Sequence, residues 1–569
     1  MNDKTLSSLL FCALIAAASG CDGGPQEGTT TGGTTTTESA PACAPGEAES
    51  PDGTCVQAGI PPGACAEGFT PDGQAGCTPV LPPDPCSPGQ LALPGDTACH
   101  EIAPCGEGPW GDIPTEPTTQ FVDAAFPGDD SDGTPQKPWK TIQKAIFKAA
   151  PGAIVAVASG VYPEDVRIQG KPVRLWGRCP GGPSRVEVVG QSGGNLAAVE
   201  VLNASASGST VRGISVTGEG IGIGVTGATG VRIEQVWVHD TTEAAGIDIE
   251  DANGPTSVAV VSSLVESASV FGVFVAGAEV TLESTAVRAT ALTPFYLSGT
   301  GIMLTANAAN DHPSTGTLRR VLLDGNHNIG LLVNGSDATL ETSVVRNTLP
   351  FKDGSFGRGV HIQDDLVTAQ PATAEIRTSV IADNRDLGIF LHGAQATIES
   401  TVVRGTLPDA QGAHGRGIQV QADLDSGARS SLLLRTSLID GSHDFGVAVA
   451  SSDLTVESTV VRGTLPGTDG SAGDGIAVFT TTPDPSTATI TGSRVESNAR
   501  AGVSFFSAAV TLTSSAVVCN ALDLDGEVTI EGQPNTFTDG GNLCGCEVQS
   551  STCVVWSAGL SPPSQIPPH

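Results

Sequence analysis

The chain has 569 residues and carries 61 Asp and Glu against 27 Lys and Arg, a net charge of −34, with 72 glycines and only 4% aromatic residues. That charge excludes nucleic acid and anionic lipid as partners of the surface as a whole, because both would be repelled. Abundant glycine with few aromatics argues against an ordinary globular enzyme and for a repeat architecture.

The first predicted element is a targeting signal over 1–20. Lys4 precedes an apolar run from Leu9 to Ala18, too short to cross a bilayer as a stable helix. Ala18-Ser19-Gly20-Cys21 follows and resembles the lipobox of bacterial lipoproteins. The resemblance implies cleavage before Cys21 and a lipid on its thiol. The protein would then be exported and held on a membrane, at the periplasmic face or the cell surface. The alternative is plain secretion with Cys21 in a disulfide. With Cys12 lost in the signal and Cys21 in the lipid anchor, an even number of the 14 cysteines remains for disulfides. Residues 21–42 are the anchor and a Thr/Gly-rich linker that can form no core.

Residues 43–105 hold three cysteine units. Cys43 and Cys55 flank Pro-Asp-Gly at 51–53, Cys65 and Cys77 flank the same turn at 71–73, and Cys86 and Cys99 flank Pro94-Gly95-Asp96. Proline presets φ and glycine accepts a positive φ. Each unit therefore reads as a small hairpin closed by its own disulfide, the simplest connectivity. Cys105 and Cys179 are also assigned to disulfides.

Residues 106–150 lead into the body. Ile142, Ala145, Ile146 and Ala149 have helical spacing, and Ala153-Ile154-Val155-Ala156-Val157 reads as a buried strand. Gly160-Val161-Tyr162 and Val173-Arg174-Leu175 follow as short strand steps. The passage resembles the N-terminal entry of pectin-lyase-like β-helix proteins, where a short helix plugs the first coil. Such a plug covers apolar rungs and unpaired strand edges. The expected fold is all-β: a right-handed parallel β-helix over 151–545, with a short N-terminal capping helix and a disulfide-rich N-terminal segment.

Repeats support that reading. Thr281-Leu282-Glu283-Ser284-Thr285 recurs in variant form at 339–343, 397–401 and 455–459, each step 58 residues long. A second copy of the pattern lies inside each step, at Leu318-Arg319, Ile376-Arg377, Leu434-Arg435 and Ile490-Thr491. Each step is two coils, one short and one with long loops, and the body holds on the order of a dozen coils or more. Up the axis, one file of residues reads Glu283, Arg319, Glu341, Arg377, Glu399, Arg435, Glu457, Thr491. A second reads Arg288, Asp324, Arg346, Ala382, Arg404, Asp440, Arg462, Glu496. Adjacent rungs sit ~4.8 Å apart, so alternating signs remove the repulsion of a like-charge ladder. These charges set register rather than perform catalysis. Asn326, Asn384, Ser442 and Asn498 form a further file, expected to bond to one another and to turn backbone. Gly330, Gly388, Gly446 and Gly502 are expected to open the third strand at a bend.

Near the C-terminus, Cys519, Cys544, Cys546 and Cys553 leave two connectivities: 519–544 with 546–553, or 519–546 with 544–553. Either clamps the last coil. Residues 546–569 are read as this cap followed, from Pro562, by a proline-rich tail without structure.

Long loops recur at 288–301, 346–359, 404–417 and 462–475, predicted to stack as one lateral wall. Those at 305–317, 363–375, 421–433 and 479–489 would form the other. The first wall gathers Phe295, Tyr296, Phe351 and Phe356 near Lys352, Arg358 and His361. Exposed aromatics stack on sugar faces or anchor protein partners; the alternative is that they pack the loops on one another. Lys352 and Arg358 would suit an acidic glycan. A lyase of the resembled superfamily implies a Lys or Arg base beside carboxylates that hold Ca²⁺. The catalytic candidates for it are Lys352, Asp364 and Asp365, with Asp423 and Asp425 one repeat later. A polygalacturonase-like hydrolase implies clustered Asp, a His-Gly step and Arg-x-Lys. Gln363-Asp364-Asp365 and His392-Gly393 are fragments of that set on different coils, and Arg-x-Lys is absent. Asp129-Asp130-Ser131-Asp132-Gly133 is a weak Ca²⁺ loop or an acidic turn, and no metal-type His cluster or phosphate loop is present. The expectation is a lipid-anchored, non-catalytic surface scaffold for adhesion or recognition of polysaccharide or another cell surface. A divergent polysaccharide lyase or glycosidase is the alternative.

Overall fold

Short strands of three to six residues, each apolar on its inward face, dominate the chain from Ile154 onward. In the computed structural model, which describes residues 43, 47–49, 53–193, 196–292, 298–546 and 553–567, they wind into a parallel β-helix. The signal, Cys21 and the linker lie outside the described residues, as do Phe295 and Tyr296. Every coil contributes one strand to each of three parallel sheets, of 16, 15 and 15 strands. Inward side chains such as Leu340, Val345 and Val360 stack into one continuous core, each 1% exposed or less.

The register bears out both charge files. Glu283 pairs with Arg319, Arg319 with Glu341, and so on through Glu457 and Thr491. The second file pairs in the same way from Arg288 to Glu496. Ion pairs close along the files, at 3.0 Å for Arg435–Glu399 and 2.7 Å for Arg346–Asp324. Arg404, beside Ala382, donates instead to the Thr78 hydroxyl at 3.2 Å.

Two other files differ from expectation. The Asn residues are not stacked on one another, because coils with Thr290, Thr348 and Thr464 intervene. The expected bonds to backbone do form: Asn326, Asn384 and Asn498 accept from the backbone N–H of those threonines. The glycines sit at the second position of the third strand, and the reason is crowding rather than a bend. A Cβ on Gly388 would lie 2.6 Å from the Gly417 carbonyl oxygen, and Gly330 and Gly446 face the same contact.

At the N-terminal end, Ile142–Lys148 is an α-helix with Thr141 as N-cap, and Ile142, Ala145 and Ile146 are buried on the first coil. The hairpins close as expected, through Cys43–Cys55, Cys65–Cys77 and Cys86–Cys99, while Cys105 pairs with Cys179. At the other end the connectivity is Cys519–Cys546 with Cys544–Cys553.

Parallel sheets are stable when both faces are covered, and the three outer faces meet that demand differently. The first sheet wears its charge file in solvent. The second turns out an apolar file, including Val344, Val402, Leu438 and Val460, and the cysteine units lie along it as a strap. Gly59 N–H donates to the Ser458 carbonyl, Ile60 is 1% exposed, and farther down the axis Gly89 N–H reaches Glu266 at 2.7 Å. The third sheet is covered in part by the C-terminal segment, which corrects the expectation of a tail without structure: Ile566 is 2% exposed, against Leu387 and Phe390.

Candidate functional site

In the six-residue third strands, residues three and five point into the core and residues one, four and six face outward, as in Arg358, His361 and Gln363 of Arg358–Gln363. Successive coils turn these positions into the floor of a groove. One wall is the stacked loops at 347–357, 405–415 and 463–473, tied by Ala410 N–H to the Gly354 carbonyl and by the Gln411 amide to the Asp353 carbonyl. The other is formed by loops 364–372, 422–430 and 480–486, tied by Ser426 to Asp364 and by Arg429 to the Asp484 and Pro485 carbonyls. Two walls of stacked loops are the arrangement expected from the repeat.

The floor changes along the axis. From 445 to 506 it is mainly apolar, with Phe445, Ala450, Phe479 and Phe506, on which Leu560 packs, and with Asp474 and Ser504 as its polar members. From 358 to 421 it is buried and mainly polar, with Leu387 and Phe390 as its apolar members. Arg358 is 1% exposed, donates from Nε to Asp386 at 2.7 Å, and lies over the rings of Phe356 and Phe390 at 4.4 and 4.7 Å. Arg416 repeats the motif two coils on, with Asp444 at 2.8 Å and Phe445 beneath it. Burial opposes ionisation of Asp386, but the Arg358 charge and the hydrogen bonds from His414 and Arg358 outweigh it and hold its carboxyl below the usual range.

The wall residues singled out from sequence therefore serve several ends. Arg358 is not a free cation but half of a buried pair. Phe356 packs on Arg358 and edge-on to Phe351, whose centroid is 6.4 Å away, so these rings build the loop. His361 is fully buried beside Phe390 at 4.6 Å. Lys352 is exposed at the tip of the first wall, whereas Asp364 and Asp365 follow the strand on the other side. Six strand residues separate them, a span of roughly 20 Å, so the proposed base and carboxylates are not brought together. Asp364 sits 3.4 Å from His392, and Asp365 accepts from Thr368 and Asn334 to shape its own turn. Asp423 likewise caps its turn through Asp425 and Ser426 N–H. Asp129 and Asp130 pair with Lys140 and Lys137, and Asp132 accepts from Thr134, so this segment is an acidic turn. Among the described residues no three His, Cys, Asp or Glu side chains converge as a metal site. Ser215, His239 and Asp240 make a Ser–His–Asp contact at 2.9 and 2.8 Å, but Ser215 is fully buried and nothing can reach its hydroxyl.

Nearer the N-terminus the same floor is open, and it holds a site that the sequence reading missed. A cavity of about 420 Å³ is lined by Glu200, Glu243, Asp248, Glu250, Phe271 and Phe274, among others. The central outward file runs Arg167, Glu200, Gly224, Asp248, Phe274. Gly224, without a side chain, leaves a notch between the two acids. Arg167 holds Glu200 at 2.8 Å, and the Phe271 and Phe274 rings stand 5.1 Å apart, tilted by 39°. Burial, with a contribution from the Glu250 charge, pushes the Asp248 carboxyl up to about 8, so it keeps its proton at neutral pH. Glu250 is raised too, by burial and by Asp251. The signal was present in the alternation Ile247-Asp248-Ile249-Glu250, which turns both acids outward on a strand whose neighbours supply no compensating charge file.

Residues 300–522 match the family model described as "Right handed beta helix region", and residues 126–349 match the one described as "Protein of unknown function (DUF1565)". No curated protein matches the sequence. Among solved structures, an alginate lyase from Paenibacillus sp. str. FPU-7 is similar at 12% identity and a TM-score of 0.33, over 46% of this chain and 92% of that one. The catalytic domain of a GH87 alpha-1,3-glucanase is similar at 11% and 0.35, over 78% and 71%. The periplasmic alginate epimerase AlgG is similar at 10% and 0.34, over 63% and 77%. At such identities and TM-scores these likenesses carry no argument about what this chain acts on.

Proposed function

From a body that is a right-handed parallel β-helix, we propose a non-catalytic surface scaffold that recognises a neutral or amino-sugar glycan along the open stretch of the third sheet. The observation that carries this reading is the cavity where Phe271 and Phe274 stand beside Glu200, Asp248 and Glu250. Aromatic faces stack on the C–H faces of sugars, and carboxyl groups bond to their hydroxyls. This lining would repel a uronate, so the ligand class differs from the acidic glycan suggested by Lys352 and Arg358. Attachment to a membrane through Cys21 belongs to the same proposal. The test is calorimetric titration with chitohexaose, cellohexaose and polygalacturonate. We expect binding of a neutral or amino-sugar hexamer, none of polygalacturonate, and an affinity about tenfold weaker in Phe274→Ala, or about 1.4 kcal/mol. Binding of polygalacturonate alone would overturn the reading.

One observation favours a second reading, a glycosidase. Asp248 is protonated at neutral pH and lies two residues from Glu250 on the same face, roughly 7 Å away, a spacing suited to an inverting acid–base pair. Release of reducing ends from the bound oligosaccharide, abolished in Asp248→Asn, would establish it.

A further inference from the structure

The polar half of the groove poses a separate question. Outward residues beneath a permanent cover are ordinarily apolar, as they are under Leu560. Beneath residues 561–567 Ile566 does rest on Leu387 and Phe390, but Arg358, Arg416 and Gln421 under the same segment are polar. Arg416 Nη1 donates to the Ser564 carbonyl at 3.0 Å, Gln421 Nε2 to the Ile566 carbonyl at 2.6 Å, and Arg358 Nη2 to the Pro567 carbonyl at 3.2 Å. Gln421 Oε1 accepts the Ile566 N–H, and Arg358 Nη1 is buried without a hydrogen-bond partner. Because Asp386 and Asp444 neutralise the two guanidinium groups, this floor offers N–H donors without net charge. A proline-rich segment presents mainly carbonyl acceptors along an extended backbone. Beside the segment lies a cavity of about 410 Å³, lined by Ser561 to Ser564 together with Arg416, Asp444 and Arg500.

We propose that residues 561–567 are a displaceable occupant of the glycan groove, and that the donors they cover are a second block of subsites for the same neutral, oxygen-rich chain. The proposal rests on the glycan reading above. The open cavity and the covered floor lie on one continuous sheet, so a glycan long enough to pass the first enters the second only when the segment leaves. A tethered competitor acts at high effective concentration. It lowers the apparent affinity by the fraction of molecules in which the groove is free, so a groove free one-tenth of the time gives about a tenfold loss.

The experiment compares the full chain with one ended after Leu560, which keeps the apolar cover over Phe479 and Phe506. Unfolding midpoints establish that both are folded. The probe that does not depend on any sugar is a fluorescent peptide of residues 561–569. It should bind the shortened chain saturably and the full chain weakly, and Arg416→Ala in the shortened chain should weaken it at least tenfold. The hexasaccharide bound by the full chain should bind the shortened chain about tenfold more tightly and compete with the peptide. A shortened chain that is folded but takes up no peptide would make the segment a fixed part of the fold and overturn the proposal. So would equal hexasaccharide affinity with and without the segment. Peptide binding with no oligosaccharide bound by either chain would instead overturn the glycan reading, and with it any entry of glycan into the covered floor.

Discussion

Arg358 and Asp248 show how differently one sheet face treats two charges. Arg358 is kept charged by Asp386, so removing the partner leaves a buried cation. Asp386→Ala should cost about 3–5 kcal/mol, read from urea unfolding midpoints, and more than Arg358→Met, after which Asp386 keeps His414 as a partner and can take up a proton. The pH dependences run in opposite directions. The folded pKa of Asp386 lies below its unfolded value, so its contribution is present above about pH 4 and lost as pH falls through the folded value. The folded value of Asp248, about 8, lies above its unfolded value. Its contribution is complete below about pH 4 and lost as pH rises toward the folded value. Asp248→Asn should therefore flatten the decline in stability between those limits and raise the midpoint at pH 8. An unchanged pH profile in the variant would show that the carboxyl titrates normally.

Across elements, stacking sets the rules. The glycine file exists because each rung meets the carbonyl of the next, so Gly388→Ala should cost about 1–3 kcal/mol through overpacking although its φ is permitted. Arg377→Glu would set three acids on consecutive rungs with Glu341 and Glu399. Because Arg377 is partly exposed, we expect a loss of only about 1 kcal/mol at low salt, shrinking in 1 M salt. The strap is a matter of packing rather than charge. Ile60→Ala, within the apolar cluster that the strap shares with the second sheet, should cost about 2–5 kcal/mol and open the cysteine units to proteolysis before the coils unfold.

For the molecule as a whole, covering sheet faces and ends is the recurring task. The helix at Ile142–Lys148 closes one end, two disulfides clamp the other, and the strap and the C-terminal segment each lie along a sheet. Anchoring is a proposal at this scale. Cys21→Ser should move the protein from the detergent-extracted membrane fraction to the soluble one, and retention of the variant in membranes would contradict lipidation at that residue.

What the sequence determined by itself is what repetition and local chemistry control. The 58-residue period dictates the coils, alternating Glu283, Arg319 and Glu341 dictate register, and Pro-Asp-Gly between Cys65 and Cys77 dictates a closed hairpin. What lies on the outer faces was decided only in three dimensions. Gly59 meets Ser458, and Arg358 meets Pro567, across hundreds of residues that no periodicity relates. The same holds for the candidate site: Glu200, Asp248 and Phe274 belong to three coils, and only stacking at ~4.8 Å places them side by side. A period reveals which positions face outward, but what covers them depends on where distant, non-repeating segments come to rest.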